Sequence, residues 1–180
     1  MKKLIILFIY IFSTPLFGQT WKVFEFSLFE GDYLGAEVIG NYQSTDYAIN
    51  VKDDPSPRLH IRINKLNGDI GVVLGLEGLK EDFWFKDANC QLRFYGDQNY
   101  YNYVLKYIIN DTKGLYWFQS PLNPDEEIRS DKYTMPLVYS LMKNKEVYLN
   151  VKINAYNIKC TFSLSGSSEA INKLLKYKSD

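Results

Sequence analysis

The chain has one histidine, His60, which restricts the catalysis that its side chains can support. A Ser-His-Asp or Cys-His site needs a histidine held beside a nucleophile. His60 lies in a segment of alternating polar and apolar residues, on the polar side, and neither Cys90 nor Cys160 is near it in sequence. We therefore predict that His60 is a surface residue of a strand. A histidine-based zinc site has too few His and Cys ligands here.

Carboxylates are the next candidates for chemistry. A glycosidase needs two acidic side chains roughly 5 to 10 Å apart across a cleft. The acidic residues that could form such a pair are Asp82, Asp87, Asp97, Glu126 and Glu127. No spacing singles out two of them. Asp69 beside Asn67-Gly68 lacks the rest of a calcium-loop pattern, and no phosphate loop is present. The sequence thus predicts no catalytic residue, no metal site and no cofactor.

Aromatic residues are the one compositional excess. Phe, Trp and Tyr make up 16% of the chain, which has 15 Tyr. They cluster in three runs, at 83–85, 100–103 and 116–118. Most such residues fill the core of a β protein, but an exposed aromatic platform beside Asn and Asp would suit stacking on a sugar or anchoring a protein partner. We select five candidates for this surface: Tyr100, Tyr101, Tyr103, Trp84 and Trp117.

The first residues have the layout of a secretory signal. Lys2 and Lys3 precede an apolar run at 4–12, which Pro15 follows, and Gly18 offers a small residue for cleavage. A membrane-spanning helix needs roughly 18 or more apolar residues, so this run is too short to be one. We predict a signal peptide over residues 1–19, one domain over residues 20–180, and no integral membrane segment after cleavage. An uncleaved anchor and a buried N-terminal strand are the alternatives.

The charge balance narrows the choice of partners. The 21 basic and 21 acidic residues cancel, and loss of Lys2 and Lys3 would leave a slight negative excess. No long-range field exists to collect nucleic acid or anionic lipid. We therefore predict no nucleic-acid partner, and expect another protein or a glycan instead.

The chain has two cysteines, Cys90 and Cys160. In an exported protein a disulfide is allowed, and closing so long a loop is worth roughly 4 kcal/mol in the chain-entropy model. Both residues sit in alternating segments whose apolar side is expected to face one core. We predict a Cys90–Cys160 disulfide, with two buried free thiols as the alternative.

Residues 58–76 carry the strongest local pattern. Asn67-Gly68 favours a two-residue type I′ turn, in which both central residues take positive φ. Such a turn would place six apolar residues on one face. It pairs Ile63 with Val72, Ile61 with Leu74, and Leu59 with Leu76. We predict a hairpin with this register.

A second hairpin is predicted over residues 147–164, with its turn at 154–157. One natural pairing places Val151 opposite Cys160 and Leu149 opposite Phe162. Aromatic and β-branched residues indicate further strands. These lie at 21–27, 47–52, 90–94, 102–109 and 115–119. Many short strands separated by Gly, Asn, Asp and Pro are typical of an antiparallel β-sandwich or barrel.

Two helices complete the predicted fold. Pro136 fits the first position of a short helix near 136–143. After Gly166, Ser167 or Ser168 can cap a second helix near 167–177, with Glu169 in its first turn. We expect this C-terminal helix to pack on the sheet of a mostly-β domain.

Residues 161–171, with the sequence TFSLSGSSEAI, follow a short helix and a strand. This arrangement resembles the C-terminal end of small exported bacterial β proteins of the invasion-associated locus B-like family. There a strand ending in a Phe-x-Leu-x-Gly motif leads into a helix containing Ala. The resemblance covers residues 137–178 and carries over no site residue. It implies an exported β-sandwich without known catalytic machinery.

Together these patterns favour a non-enzymatic binding protein of the cell envelope that is exported to the periplasm or secreted. Its expected ligand is another protein, bound through an aromatic and polar surface. A carbohydrate-binding module is the alternative, and a carboxylate-based hydrolase comes third.

Overall fold

The computed structural model describes residues 20–28, 31–50, 54–84, 86–108, 114–119 and 131–177. The predicted signal peptide lies outside these ranges. The strands are β1 (Lys22–Leu28), β2 (Gly31–Ile39), β3 (Asn41–Ser44), β4 (Pro57–Asn64), β5 (Ile70–Leu76), β6 (Ala88–Phe94), β7 (Tyr101–Tyr107), β8 (Leu115–Gln119), β9 (Glu146–Ile153) and β10 (Tyr156–Ser163). The helices are α1 (Asp131–Lys143) and α2 (Ser167–Tyr177), with a short 3-10 helix at Glu81–Phe83.

These strands form a single antiparallel sheet that curls into a half-barrel. The strand order is β1-β2-β4-β5-β8-β7-β6-β9-β10-β3. The prediction of a mostly-β antiparallel fold with two short helices is confirmed. The fold is one curled sheet rather than a sandwich of two. The predicted strand at 47–52 is wrong over its described part, where Ile49 makes one isolated bridge to Leu79.

The first predicted hairpin forms, but its register is shifted by two residues. Ile63 pairs with Ile70 and Ile61 with Val72. The two-residue turn is wrong because Asn67 does not take positive φ, whereas Gly68 does, at 73°. Instead Asn64 Oδ1 accepts a hydrogen bond from Leu66 N (2.8 Å), which draws Leu66 into a longer loop. A shift of two residues keeps the same side chains on the inner face.

The second hairpin is also shifted by two residues, in the same sense. Val151 pairs with Ile158 and Leu149 with Cys160. The predicted turn at 154–157 was too long. Asn154 takes positive φ, at 55°, so the chain reverses within Asn154-Ala155. Asn is one of the few non-glycine residues that tolerate this conformation.

Gly40 links β2, the second strand of the sheet, to β3 at the opposite edge. This residue alone separates β2 from β3, yet β2 pairs with β4 whereas β3 pairs with β10. Gly40 N donates to Pro57 O (2.7 Å). A Cβ at this position would lie 2.5 Å from the Phe162 ring and from the Thr161 carbonyl oxygen. Because a side chain has no room there, glycine lets the chain cross from one end of the sheet to the other.

Both helices pack against the inner face of the sheet. Helix α1 contacts β5 and β8, and α2 contacts β2 and β4. The buried helix residues are Leu137, Val138, Leu141, Ala170, Ile171 and Leu174. Ser167 Oγ donates to the Leu141 carbonyl (2.8 Å) and so joins the two helices. The expected packing of the C-terminal helix is confirmed.

Helix α1 begins at Asp131, five residues before its predicted start. Pro136 therefore lies inside the helix, on its exposed side, and is not the first helical residue. Within the described ranges, no helix combines the length and apolar character needed to span a bilayer.

Candidate functional site

The outer face of strands β7, β6, β9 and β10 concentrates carboxamide side chains. Strand register places Asn102, Gln91 and Asn150 in one row across β7, β6 and β9. Asn89 and Asn157 flank Lys152 in the adjacent row. The residues between them in sequence, such as Cys90, point inward and are buried. We call the five carboxamide residues Asn89, Gln91, Asn102, Asn150 and Asn157 the amide face.

An open depression of about 530 Å³ lies over the amide face. All five carboxamide residues line it, together with Lys152, and none of its lining residues is acidic. Ligand sites of proteins measure roughly 300–1,000 Å³, so the depression is large enough to hold a ligand. Each carboxamide offers one acceptor oxygen and two N–H donors. The surface can therefore form many directed hydrogen bonds with little net charge.

Asn150 is the central residue of the amide face, on β9 between Gln91 of β6 and Lys159 of β10. Its Oδ1 atom is buried and has no hydrogen-bond partner among the described residues. An unsatisfied buried acceptor costs roughly 1–3 kcal/mol. The last torsion of an Asn side chain is soft, so this oxygen can turn towards a donor in the depression.

Tyrosines surround Arg93 at one end of the amide face. The Arg93 guanidinium lies 5.4 Å from the Tyr100 ring centroid and 5.4 Å from that of Tyr148. The Tyr148 hydroxyl donates to Glu146 Oε2 (2.6 Å), which fixes its ring. Tyr100 is 57% exposed and Tyr95 is 64% exposed. This end of the surface thus offers aromatic ring faces beside the carboxamides.

The structure separates the three tyrosines selected from the sequence. Tyr100 lies at the end of the amide face, as just described. Tyr101 pairs with Leu92 on the inner side, and its hydroxyl donates to Asp97 Oδ2 (3.0 Å). The Tyr103 ring packs edge-on against Phe118, with centroids 5.5 Å apart, and burial raises the pKa of Tyr103 to about 12.

The two selected tryptophans lie elsewhere, so the five residues do not form one platform. Trp84 is half-buried beside the 3-10 helix, and its Nε1 donates to the Leu79 carbonyl (2.9 Å). Trp117 lies on the outer face of β8, where it packs over Arg62 of β4. Tyr103 is among the residues that line the depression, although its side chain is half-buried. Tyr100 is the one of the five that adjoins the amide face with an exposed ring.

Arg62 is the centre of a second outer-face cluster. It is 4% exposed, and its guanidinium lies 5.0 Å from the Tyr33 centroid and 3.6 Å from that of Trp117. Register places Gly35 and Gly71 on either side of Arg62. Without side chains of their own, these glycines leave room for the neighbouring aromatic rings to cover the strands. We interpret the cluster as packing that covers this half of the sheet.

His60 lies on the outer face, as predicted, but is half-buried. Its Nδ1 is 3.4 Å from Glu37 Oε2, and Arg58 lies 3.6 Å from the other oxygen of that carboxylate. Burial is the main cause that lowers the His60 pKa to about 4, and Arg58 and Arg62 add to it. These effects outweigh the opposite influence of the Glu37 carboxylate on the His60 pKa, because that carboxylate also contacts Arg58. No cysteine lies on this face, so no Cys-His pair forms.

The candidate acids are dispersed. Asp87 pairs with Lys106 (2.6 Å). Asp97 sits in the turn after β6, where hydrogen bonds led by that from the Asn99 backbone lower its pKa. Asp82 is exposed on the 3-10 helix. Glu126 and Glu127 lie outside the described residues. Over the described ranges, no cluster of His, Cys, Asp and Glu is placed to hold a metal ion.

The two cysteines are buried free thiols. Both face inward, as predicted, but Cys90 is on β6 and Cys160 on β10, and β9 lies between these strands. Two strand spacings amount to roughly 10 Å, beyond the reach of a disulfide. The predicted bond is therefore not formed. Burial raises the pKa of both thiols far above the ordinary value.

Comparisons with models of protein families, with curated proteins and with solved structures find no match to this chain. The resemblance to the invasion-associated locus B-like family therefore stays a prediction.

Sequence reasoning missed the amide face. Asn89 and Gln91 alternate with inward residues on β6, as Asn150 and Lys152 do on β9. This alternation is visible in the sequence and predicts that these side chains point outward. The pairing of β6 with β9, which are distant in the chain, cannot be predicted from it, and this pairing brings the carboxamides together.

Proposed function

We propose that the protein is a non-enzymatic binding protein of the cell envelope and that the amide face holds its ligand. The observation that carries the proposal is the depression over five carboxamides, one of which, Asn150, has a buried Oδ1 atom without a hydrogen-bond partner among the described residues. Buried polar groups are nearly always hydrogen-bonded in native proteins, and each exception needs an explanation. A ligand donor is the explanation we offer.

The chemistry of the lining favours binding over catalysis. Proton transfer at neutral pH needs a titratable group with a suitable pKa. Carboxamides do not titrate, and the depression has no acidic lining residue. Its ionisable lining residues are Lys152 on the outer face, and Cys90 and Tyr103, whose side chains point inward and whose pKa values burial raises. Hydrogen-bonding groups whose charge does not change with pH are suited to binding a ligand rather than to transferring protons.

The location rests on the first nineteen residues, whose pattern is that of a secretory signal. N-terminal sequencing of the protein from its native source tests this part. We expect the mature chain to begin near Gln19 or Thr20 and to be recovered from the envelope or the medium. A native protein that begins at Met1 in the cytosol would contradict the proposed location.

Co-sedimentation with the insoluble envelope fraction of the source cells tests the binding surface. We expect the purified protein to sediment with this fraction, and Asn150→Ala and Gln91→Ala to bind roughly tenfold more weakly, the effect of one lost contact. Asn172→Ala, at an exposed helix position, is the matched control and should bind like the parent protein. If the two face variants also bind like the parent, the amide face is not the binding surface.

A further inference from the structure

We infer that the ligand of the amide face is a glycan chain, an inference that rests on the proposed function of this surface. Sugars present many hydroxyl groups, each of which donates one hydrogen bond and accepts others. Carboxamides match this pattern, since each combines an acceptor oxygen with two donors. Asn102, Gln91 and Asn150 form a continuous row across three strands and can contact successive hydroxyls.

The aromatic end of the surface supports the same ligand. Tyr100 and Tyr95 expose 57% and 64% of their surface at the end of β6 and the start of β7. Aromatic rings pack against the C–H faces of sugar rings, because they combine a flat apolar face with a polar edge. Arg93, which also packs against the Tyr148 ring, contacts Tyr100 from one side. A chain lying on the carboxamides would thus reach a stacking surface at this end.

The lining fits a protein partner less well. A protein interface covers roughly 800 Å² on each partner and has an apolar centre with a polar rim. Here the order is reversed, since polar Gln91 and Asn150 form the centre and the exposed tyrosines stand at the margin. The depression of about 530 Å³ matches a ligand of a few sugar units.

Charge sets the kind of glycan that the surface accepts. Lys152 lines the depression, Lys159 lies beside Asn150 on β10, and no lining residue is acidic. A neutral glycan meets no repulsion, and a uronic acid can approach Lys152. A densely anionic polymer would need more cations than this surface presents, because its affinity comes mainly from charge neutralisation.

The experiment adds soluble hexasaccharides to the co-sedimentation assay. The probes are linear oligomers of β-1,4-linked glucose, N-acetylglucosamine and xylose, and of galacturonic acid. We expect at least one probe to release the protein from the envelope fraction and to bind it directly in calorimetry. Tyr100→Ala and Gln91→Ala should weaken that direct binding roughly tenfold. Tyr139→Ala, at a tyrosine 48% exposed on helix α1, is the control and should bind unchanged.

Two outcomes separate this inference from the proposed function. If face variants lose envelope binding, no hexasaccharide competes, and protease treatment of the fraction abolishes sedimentation, then the ligand is a protein. The glycan inference is then wrong and the binding surface stands. If the hexasaccharides bind but Gln91→Ala and Tyr100→Ala leave their affinity unchanged, the glycan binds elsewhere and the glycan inference is wrong. The proposed function then fails as well if the face variants also keep their binding to the envelope fraction.

Discussion

The guanidinium carbon of Arg62 lies 3.6 Å from the ring centroid of Trp117, the closest contact between a cation and an aromatic ring in the described chain. Gly71 makes this contact possible. It lies opposite Arg62 in the register, and a Cβ there would overlap the Trp117 ring. A glycine, an arginine and a tryptophan from three adjacent strands therefore depend on one another.

Gly71→Ala should reduce stability by roughly 2–3 kcal/mol, because an added methyl group displaces the Trp117 ring and overpacking of this kind costs about that much. The measurement is chemical denaturation followed by circular dichroism. Gly75→Ala is the matched control on the same face of β5. Its Cβ would meet Leu115 and Arg58 at 3.4 and 3.5 Å, which is ordinary contact. Equal losses in the two variants would show that the Trp117 contact is not what makes Gly71 necessary.

Arg62→Ala should cost roughly 2–4 kcal/mol, since it removes both a desolvated cation–π contact and the packing of a long side chain. Arg58→Ala is the comparison. Arg58 is on the same strand and face, but its side chain is 38% exposed and its ion pairs span 3.6 and 3.7 Å. Exposed ion pairs contribute at most about 1 kcal/mol, so this variant should lose little. Urea denaturation of both variants decides the matter, and a smaller loss for Arg62→Ala would contradict the packing role.

His60 should make stability fall as the pH is lowered. Its folded pKa of about 4 lies below the ordinary value of 6.5, so the unfolded chain binds more protons between these pH values. The stability that neutral His60 contributes is fully present above pH 6.5 and is lost as the pH falls towards 4. Linkage predicts a loss of roughly 2 kcal/mol between pH 7 and 5. His60→Gln should flatten the curve of unfolding free energy over this interval, and curves that stay parallel would refute the assignment.

Cys90 and Cys160 should remain reduced and unreactive in the native protein. Burial raises both thiol pKa values, so little thiolate is present to react. We expect iodoacetamide to leave the native protein unmodified and to label both residues after denaturation without reductant, as read by mass spectrometry. A denatured protein that needs reductant before it is labelled would demonstrate a disulfide and a different arrangement of β6 and β10.

The apolar alternation predicted the strands of the two hairpins and their inner faces, but not their registers. In the hairpin at 58–76 the competing interaction is local, because the Asn64 side chain binds Leu66 N and lengthens the loop. In the hairpin at 146–163 Asn154 adopts positive φ and shortens it. Both errors are of two residues, so the faces were predicted correctly even where the partners were wrong.

Strands β2 and β3 were not predicted, since their residues lack a strong apolar pattern. Gly35 interrupts the side-chain pattern of β2, and a Cβ there would lie 2.9 Å from the Phe26 ring and 3.1 Å from the Phe24 ring on β1. The amide face depends on strand order in the same way. Polar side chains on β6 and β9 are visible in the sequence, but their adjacency comes from a pairing across 58 or more positions of chain. A selection based on aromatic residues therefore includes Tyr100 but not Asn150, the central residue of the amide face.

The link between β2 and β3 at Gly40 has a consequence for how the molecule folds. Strand β3 lies at an edge of the sheet and pairs with β10, the last strand, so it cannot join the sheet until β10 is present. Contacts so distant in sequence slow folding. Until then the backbone groups of β3 lack a partner strand and are available for wrong pairings.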